Sequence, residues 1–214
     1  MRWTNIGRRC ATLRGLIRVH AIPYSTNVER VSLALAHKGL AAEAVLSHPG
    51  DRGEVRRVSG QDLVPVLEHD GAVVADSPVI LAYLEQRFPE PALYPASPSR
   101  RAEVDAFIDW FNHVWKLWPN AIDAGEGVEP NSRAMAASLD RFEALLTGRD
   151  HLMGDGFGAA DCIAFPFLKD ALLAPAADDP DSFHRVLSDR LRPGRGHARL
   201  LDWIRRVDER PRAF

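Results

Sequence analysis

Ser25 stands at a position where a protein chain can activate a bound thiol. It lies in the segment Pro23-Tyr24-Ser25-Thr26, between a predicted strand and a predicted helix. The N-terminus of a helix favours negative charge, so a thiol held there ionises more readily than its reference pKa of about 8.5 implies. A serine hydroxyl can donate a hydrogen bond to the thiolate that forms. The alternative is that Ser25 only caps the helix, whose first turn Thr26 and Glu29 are expected to close as a capping box.

Two further segments carry groups that suit a ligand. Ser77 is predicted to cap a second helix, with Pro78 at its first position. The free N–H groups at such a helix end suit a carboxylate, and Asp76 places a negative charge beside them. Val64-Pro65 is predicted to open a strand. This pair either forms a functional turn or contains an ordinary trans proline on an edge strand.

The elements that position these residues fall into two blocks. The first block reads β-α-β-loop-β-β-α, and from Ser97 onward the pattern contains helices only. A proline-rich stretch, residues 88–98, separates the blocks and suits a short stiff linker. The sequence therefore predicts three segments: a disordered tail (1–16), an α/β domain (17–91) and an all-helical domain (98–214). Within the first block, strands are predicted at 17–22, 43–46, 64–67 and 72–75, and residues 47–62 are predicted to be an irregular loop.

Aromatic side chains mark the first long helix of the second block. Its apolar row, which predicts one continuous helix, comprises Val104, Phe107, Ile108, Phe111, Trp115 and Trp118. Trp110 lies off this row, which favours a role in a pocket or an interface. Asp161 is expected to cap a later, buried helix and to serve folding.

Composition excludes several classes of function. The 214 residues carry 27 Lys and Arg against 29 Asp and Glu, and neither block is basic enough for a typical nucleic-acid binder. No apolar run approaches the ~18–20 residues of a membrane span. Two cysteines, Cys10 and Cys162, rule out a disulfide scaffold. No Cys/His cluster has metal-binding spacing, so no metal site is expected. Arg8-Arg9 is not followed by the apolar region of an export signal, and a cytoplasmic location is expected.

Taken together, these motifs resemble the cytosolic glutathione transferase family. Within it, the sequence is most similar to bacterial-like members of the serine- or cysteine-type classes. The most specific part is the Val64-Pro65 strand with Asp76-Ser77 twelve residues later, followed by Ile80-Leu81-x-Tyr83-Leu84. The resemblance covers roughly residues 17–210. It implies an α/β thioredoxin-like N-terminal domain, an all-α C-terminal domain and a homodimer.

The resemblance also implies roles for individual residues. Ser25 would hold glutathione, the co-substrate, as its thiolate, and no permanently bound cofactor is implied. Val64 would pair through its backbone with the cysteinyl unit, across a cis bond to Pro65. Asp76 and Ser77 would receive the γ-glutamyl end. A small hydrophobic electrophile would be attacked in a pocket walled by Tyr24 and, as a further candidate, Trp110.

Departures from the family pattern keep two alternatives open. Leu63 stands where relatives often carry Lys or a similar polar residue, and residues 59–63 replace the common Asn-Pro-x-Gly-Lys. One alternative is a non-catalytic binding or regulatory protein on the same scaffold. The other is a transferase that uses another low-molecular-weight thiol.

Overall fold

A computed structural model describes residues 15–48, 50–154 and 156–214 of the chain. Residues 1–14, most of the predicted tail, lie outside this description. The N-terminal block holds β1 (Ile17–Ala21), α1 (Thr26–His37), β2 (Glu43–Leu46), α2 (Gly53–Ser59), β3 (Val66–His69), β4 (Ala72–Ala75) and α3 (Ser77–Arg87). The predicted α/β order is confirmed.

The four strands form one sheet in the order β2-β1-β3-β4. Strand β1 runs parallel to β2 and antiparallel to β3, and β3 runs antiparallel to β4. His20 lies opposite Val66, and Val66 lies opposite Ala75. Consequently the end of β1, the beginning of β3 and the end of β4 meet at one edge of the sheet.

Two local predictions in this block need correction. Residues 47–62 are not wholly irregular, because α2 forms over Gly53–Ser59; it buries Val55 and ends at Gly60, whose φ is 75°. The third strand begins at Val66, two residues after the predicted start. A seven-residue helix with a single buried apolar residue leaves no apolar period in the sequence, which explains the first error.

Helices α1 and α3 each begin one residue before the predicted position. The N-cap of α1 is Ser25, whose hydroxyl accepts a hydrogen bond from the N–H of Val28, so the expected capping box on Thr26 is wrong. The N-cap of α3 is Asp76, and Ser77 is the first helical residue. Ser25-Thr26 and Asp76-Ser77 each consist of two residues that are common at N-caps, and sequence preference alone does not choose between the two.

The C-terminal block is helical, as predicted. It contains α4 (Pro98–Trp110), a π-helical segment (Phe111–Trp115), α5 (Leu117–Asp123), α6 (Val128–Leu145), α7 (Ala159–Leu168), α8 (Ser182–Arg190) and α9 (Ala198–Asp208). The predicted continuous helix through Trp118 is therefore wrong. Phe111 and Trp115, at the two ends of the π-helical segment, are both fully buried, and their ring centroids are 4.6 Å apart.

Buried polar groups tie the helical core together. Asp161 accepts hydrogen bonds from the backbone of Leu152 and Gly158 and from the indole of Trp203 at 2.7 Å. Its predicted capping role is confirmed, with Gly158 as the N-cap. Helix α7, which is buried along its whole length, packs against α1 and so joins the two blocks.

Candidate active site

Ser25 lies at the sheet edge where the three chain segments meet. Its Oγ accepts the hydrogen bond from the N–H of Val28 at 3.3 Å, and the side chain is half-buried. An oxygen that accepts from the helix keeps its own O–H proton for another partner. Ser25 can therefore cap α1 and still donate to a group held over the helix end.

Val64 and Pro65 approach the same edge, because Val66 is paired with His20 near the end of β1. The peptide bond between Val64 and Pro65 is cis, as the resemblance implied. Leu63 precedes them with 75% of its surface exposed. The amide of Gln61 bonds both the N–H and the C=O of Leu63 at 2.8 Å, which fixes the turn before Val64.

Asp76 and Ser77 complete the edge at the end of β4. Asp76 adopts a positive φ of 71°, a region that costs a non-glycine residue roughly 1–3 kcal/mol. Its carboxylate is exposed and makes no capping bond to α3, so it is free for a cationic group. Ser77 is 1% exposed, and its Oγ accepts a hydrogen bond from Arg30 at 3.2 Å. The Ser77 hydroxyl proton can therefore be donated to an anion at the helix end.

Arg30 is a functional candidate that the sequence reasoning missed. It is fully buried, and besides Ser77 it donates to the carbonyl of Ile163 on α7 and to the amide oxygen of Asn112 in the π-helical segment. Its guanidinium lies over the ring of Phe167 at 4.5 Å. Burial lowers its pKa to about 9, against a smaller opposing effect of Asp76. A charged residue between Glu29 and the apolar Val31 gave no sign of facing inward.

Lys116, directly after the π-helical segment, was also missed. Its ammonium lies 3.4 Å from the amide oxygen of Asn27 in the first turn of α1 and 5.3 Å from the centre of the Phe167 ring. Burial, together with a smaller effect of Arg30, lowers its pKa to about 8 against an opposing effect of Asp76. In the sequence, Lys116 lies between the apolar residues Trp115 and Leu117, and no local motif marks it as a functional candidate.

A cavity of about 280 Å³ is lined by Ser25 together with Val28 and Glu29 of α1. Tyr24 and Leu46 stand in its wall beside Phe214. Tyr24 has a φ of 62°, and a hydrogen bond to Asp178 raises the pKa of its phenol. The cations at this cavity, Lys169 and Arg212, are both paired with Glu29.

Trp110 is not brought together with Tyr24 and Ser25. It packs on Phe107 and Phe142 and lines a different groove, of about 510 Å³, between α4 and α6. A role for Trp110 in the electrophile pocket finds no support in this placement. The interface role stays a prediction.

Among the described residues, the remaining candidate groups add no nucleophile or metal centre. Cys162 is fully buried, and burial raises the pKa of its thiol well above the usual range; Cys10 lies outside the described residues. Across 15–48, 50–154 and 156–214, no group of three His, Cys, Asp or Glu side chains is arranged to hold a metal ion. Over the same ranges, no helix is long and apolar enough to cross a membrane.

Comparison with known proteins now identifies the family. Residues 19–92 match the model of the glutathione S-transferase N-terminal domain, and residues 95–183 match that of the C-terminal domain. The chain belongs to the glutathione S-transferase family of enzymes.

Several relatives align with most of the length of this glutathione S-transferase family member. Protein LigF from Sphingobium sp. is 24% identical over 91% of this chain and 90% of its own. Glutathione transferase omega-1 from Caenorhabditis elegans is 28% identical over 73% of this chain and 64% of its own. The crystal structure of rice GST1 in complex with glutathione superposes with a TM-score of 0.75 at 25% identity, over 92% of this chain and 87% of that one.

Proposed function

We propose that this glutathione S-transferase family member activates the glutathione thiol for attack on a small hydrophobic electrophile. One observation carries the proposal: Ser25 at the N-terminus of α1, the cis Val64–Pro65 turn and the Asp76-Ser77 start of α3 share one edge of the sheet. That edge offers a hydroxyl donor, a strand-like backbone and an anion-binding helix end. These are the three groups that a γ-glutamyl-cysteinyl-glycine ligand needs.

Glutathione would bind along the edge with its thiol at Ser25. The thiol releases its proton to solvent, and the positive end of α1 together with the Ser25 hydroxyl stabilises the thiolate. The sulfur then forms a bond to the electrophilic carbon, and the leaving group departs with its bonding electrons. Holding both reactants in place supplies the rest of the rate enhancement.

The γ-glutamyl end would bind at the start of α3. Its carboxylate accepts from the Ser77 hydroxyl and the free helix N–H groups, and its ammonium faces Asp76. Val64 would pair with the cysteinyl backbone as an added strand does. Tyr24 would wall the electrophile. We further propose a homodimer located in the cytoplasm, as is usual for the family.

A non-catalytic binding protein is the second candidate, favoured by one observation. Leu63 exposes 75% of its surface beside the proposed glycyl end, where a polar residue would hold a carboxylate. A protein with this defect would bind glutathione weakly. Use of a different low-molecular-weight thiol would account for the same feature.

The test uses two variants of Ser25, because this residue also caps α1. Alanine removes both the hydroxyl and the cap, at about 1 kcal/mol of stability, whereas glycine is an acceptable N-cap and costs only a few tenths. We expect both variants to lose turnover of glutathione with an aryl halide by at least about tenfold, and only alanine to lower the melting temperature clearly.

The Ser25→Thr variant, which keeps the hydroxyl, is the matched control and should retain most turnover. Rates in Ser25→Gly equal to those of the parent at saturating glutathione would remove Ser25 from the mechanism. A parent that neither turns over aryl halides nor gives heat with millimolar glutathione would favour the second candidate.

A further inference from the structure

The region between α1 and the π-helical segment holds two cations that lack a carboxylate partner. Arg30 is fully buried, and its three hydrogen bonds go to a carbonyl, a hydroxyl and an amide, while its Nη2 atom has no partner at all. The Lys116 ammonium donates to the amide oxygen of Asn27, which is a neutral group. Within the part of the chain that the structure describes, neither residue forms an ion pair with Asp or Glu.

Such an arrangement costs folding free energy, because a buried charge is normally paired. Both cations lie over the ring of Phe167, at 4.5 Å and 5.3 Å from its centre, and Arg30 lowers the pKa of Lys116 by charge repulsion. Asp76 is the described carboxylate that acts on both of them. Under the proposed function, the γ-glutamyl carboxylate at Ser77 lies beside Arg30 and its ammonium faces Asp76, and Lys116 then has no anion of its own.

Lys116 is the member of the pair that a second substrate can reach. Arg30 is enclosed by α3, α7 and the π-helical segment, whereas Lys116 is only half-buried. Its contact residue, Asn27, is two positions after Ser25 in the first turn of α1. Ser25 caps α1 and Asn27 lies in its first turn, so a small molecule attacked by a sulfur held over this helix end can extend toward Lys116.

We propose that Lys116 binds a carboxylate or similar anionic group on the electrophile, and so selects acidic electrophiles. This inference rests on the proposed function, which supplies the thiolate at Ser25. Lys169 and Arg212 do not compete for the role, because Glu29 already neutralises both of them. Lys116 is therefore a specificity-determining residue, and the sulfur chemistry stays with Ser25.

The test compares a chloronitrobenzoate, which carries a carboxylate, with the corresponding chloronitrobenzamide, which is neutral and of nearly the same shape. For each substrate kcat/KM is measured at saturating glutathione and divided by its uncatalysed rate. We expect the parent to prefer the benzoate, and Lys116→Met to reduce that preference about tenfold, the usual effect of losing one charged hydrogen-bond partner. Lys116→Arg keeps the charge and should keep most of the preference.

A pH profile provides a second readout of the same preference. The charged groups that act on Lys116 are Arg30 on α1 and Asp76 at the start of α3. Arg30, with a pKa of about 9, titrates above Lys116, whose pKa is about 8. The parent's preference for the benzoate should therefore decline as the pH rises through about 8, and Lys116→Arg should show no such decline.

Binding measurements separate failure of this inference from failure of the proposed function. Calorimetry with S-methylglutathione, a thioether that cannot react, tests the glutathione site alone. Calorimetry with the benzoate and the benzamide tests Lys116 without any turnover. Equal affinities for the two in the parent, or an equal loss of both in Lys116→Met, would overturn the role of Lys116. No heat with S-methylglutathione would instead overturn the glutathione site.

Discussion

Two buried cations, Arg30 in the middle of α1 and Lys38 at its C-terminus, are treated by the fold in opposite ways. Lys38 donates to the carboxylate of Glu85 at 2.7 Å and to the carbonyls of Phe88 and Pro91. All three of its protons have partners, and one partner is charged. Arg30 is at least as deeply buried, yet it has neutral partners only and one unpartnered nitrogen.

The difference separates a structural charge from a charge kept for a ligand. Lys38 links the segment after α3 to α1, and its ammonium has no N–H donor left for a ligand. Arg30 and Lys116 sit beside the candidate glutathione edge, where an anion supplied from outside can offset their cost. Burial alone therefore does not distinguish the two roles, whereas the absence of a carboxylate partner does.

The largest expected effect comes from breaking the complete pair. Lys38→Met leaves Glu85 charged and nearly buried, and it strands two carbonyl groups as well. Loss of one partner from a buried ion pair costs about 3–5 kcal/mol, so denaturant unfolding should show a loss of that order. Affinity for glutathione, measured on the folded fraction, should change less than about twofold, because the pair lies at the far end of α1.

Removing the stranded charge provides the control for this prediction. The double variant Lys38→Met with Glu85→Gln should recover part of the lost stability, since glutamine can still accept from the N–H of Leu93, which now bonds Glu85 at 2.9 Å. A Lys38→Met variant as stable as the parent would show that the two cations differ less than their partners indicate.

An intermediate effect is expected at Asp76, which links the ligand to the unpaired cations. Asp76→Asn should weaken glutathione binding by roughly ten- to a hundredfold, or about 1.5–3 kcal/mol, because a charged partner of the γ-glutamyl ammonium is lost. Calorimetry measures the change. The fold should tolerate it, since Asp76 makes no side-chain cap to α3 and asparagine accepts a positive φ.

A ligand without the ammonium group is the matched control for Asp76. Glutaryl-cysteinyl-glycine lacks that group and should bind the parent and Asp76→Asn with similar affinity. If both ligands lose the same amount, Asp76 acts through Arg30 and Lys116 and does not contact the ammonium.

The sequence predicted the residues at the sheet edge but not the cations behind it. Ser25, Val64-Pro65 and Asp76-Ser77 belong to local motifs at turns, and a motif can be recognised within a few residues of chain. Arg30 meets Asn112 and Ile163, which are 82 and 133 positions away. Contacts of that separation depend on how α7 and the π-helical segment pack on α1, and no local pattern records them. The π-helical segment itself was hidden because its aromatic residues fit an ordinary helical period.

The smallest expected effect concerns the free energy of folding that is lost because the charged Lys116 is partly buried. Burial lowers its pKa from an ordinary 10.5 to about 8. Below pH 8 the ammonium is charged in the folded and unfolded states, so its full cost is present; between pH 8 and 10.5 the folded protein loses the proton first and the cost is relieved. At face value the shift corresponds to about 3 kcal/mol, but partial exposure retains much of the hydration, so we expect about 1 kcal/mol. Lys116→Met should therefore be more stable than the parent by about that amount at pH 7, and this advantage should shrink toward pH 10.

Denaturant unfolding of both proteins across this range measures the difference, with Lys116→Arg as the variant that should gain nothing. A methionine variant less stable than the parent at every pH would make Lys116 a structural residue like Lys38, and the contrast along α1 would disappear.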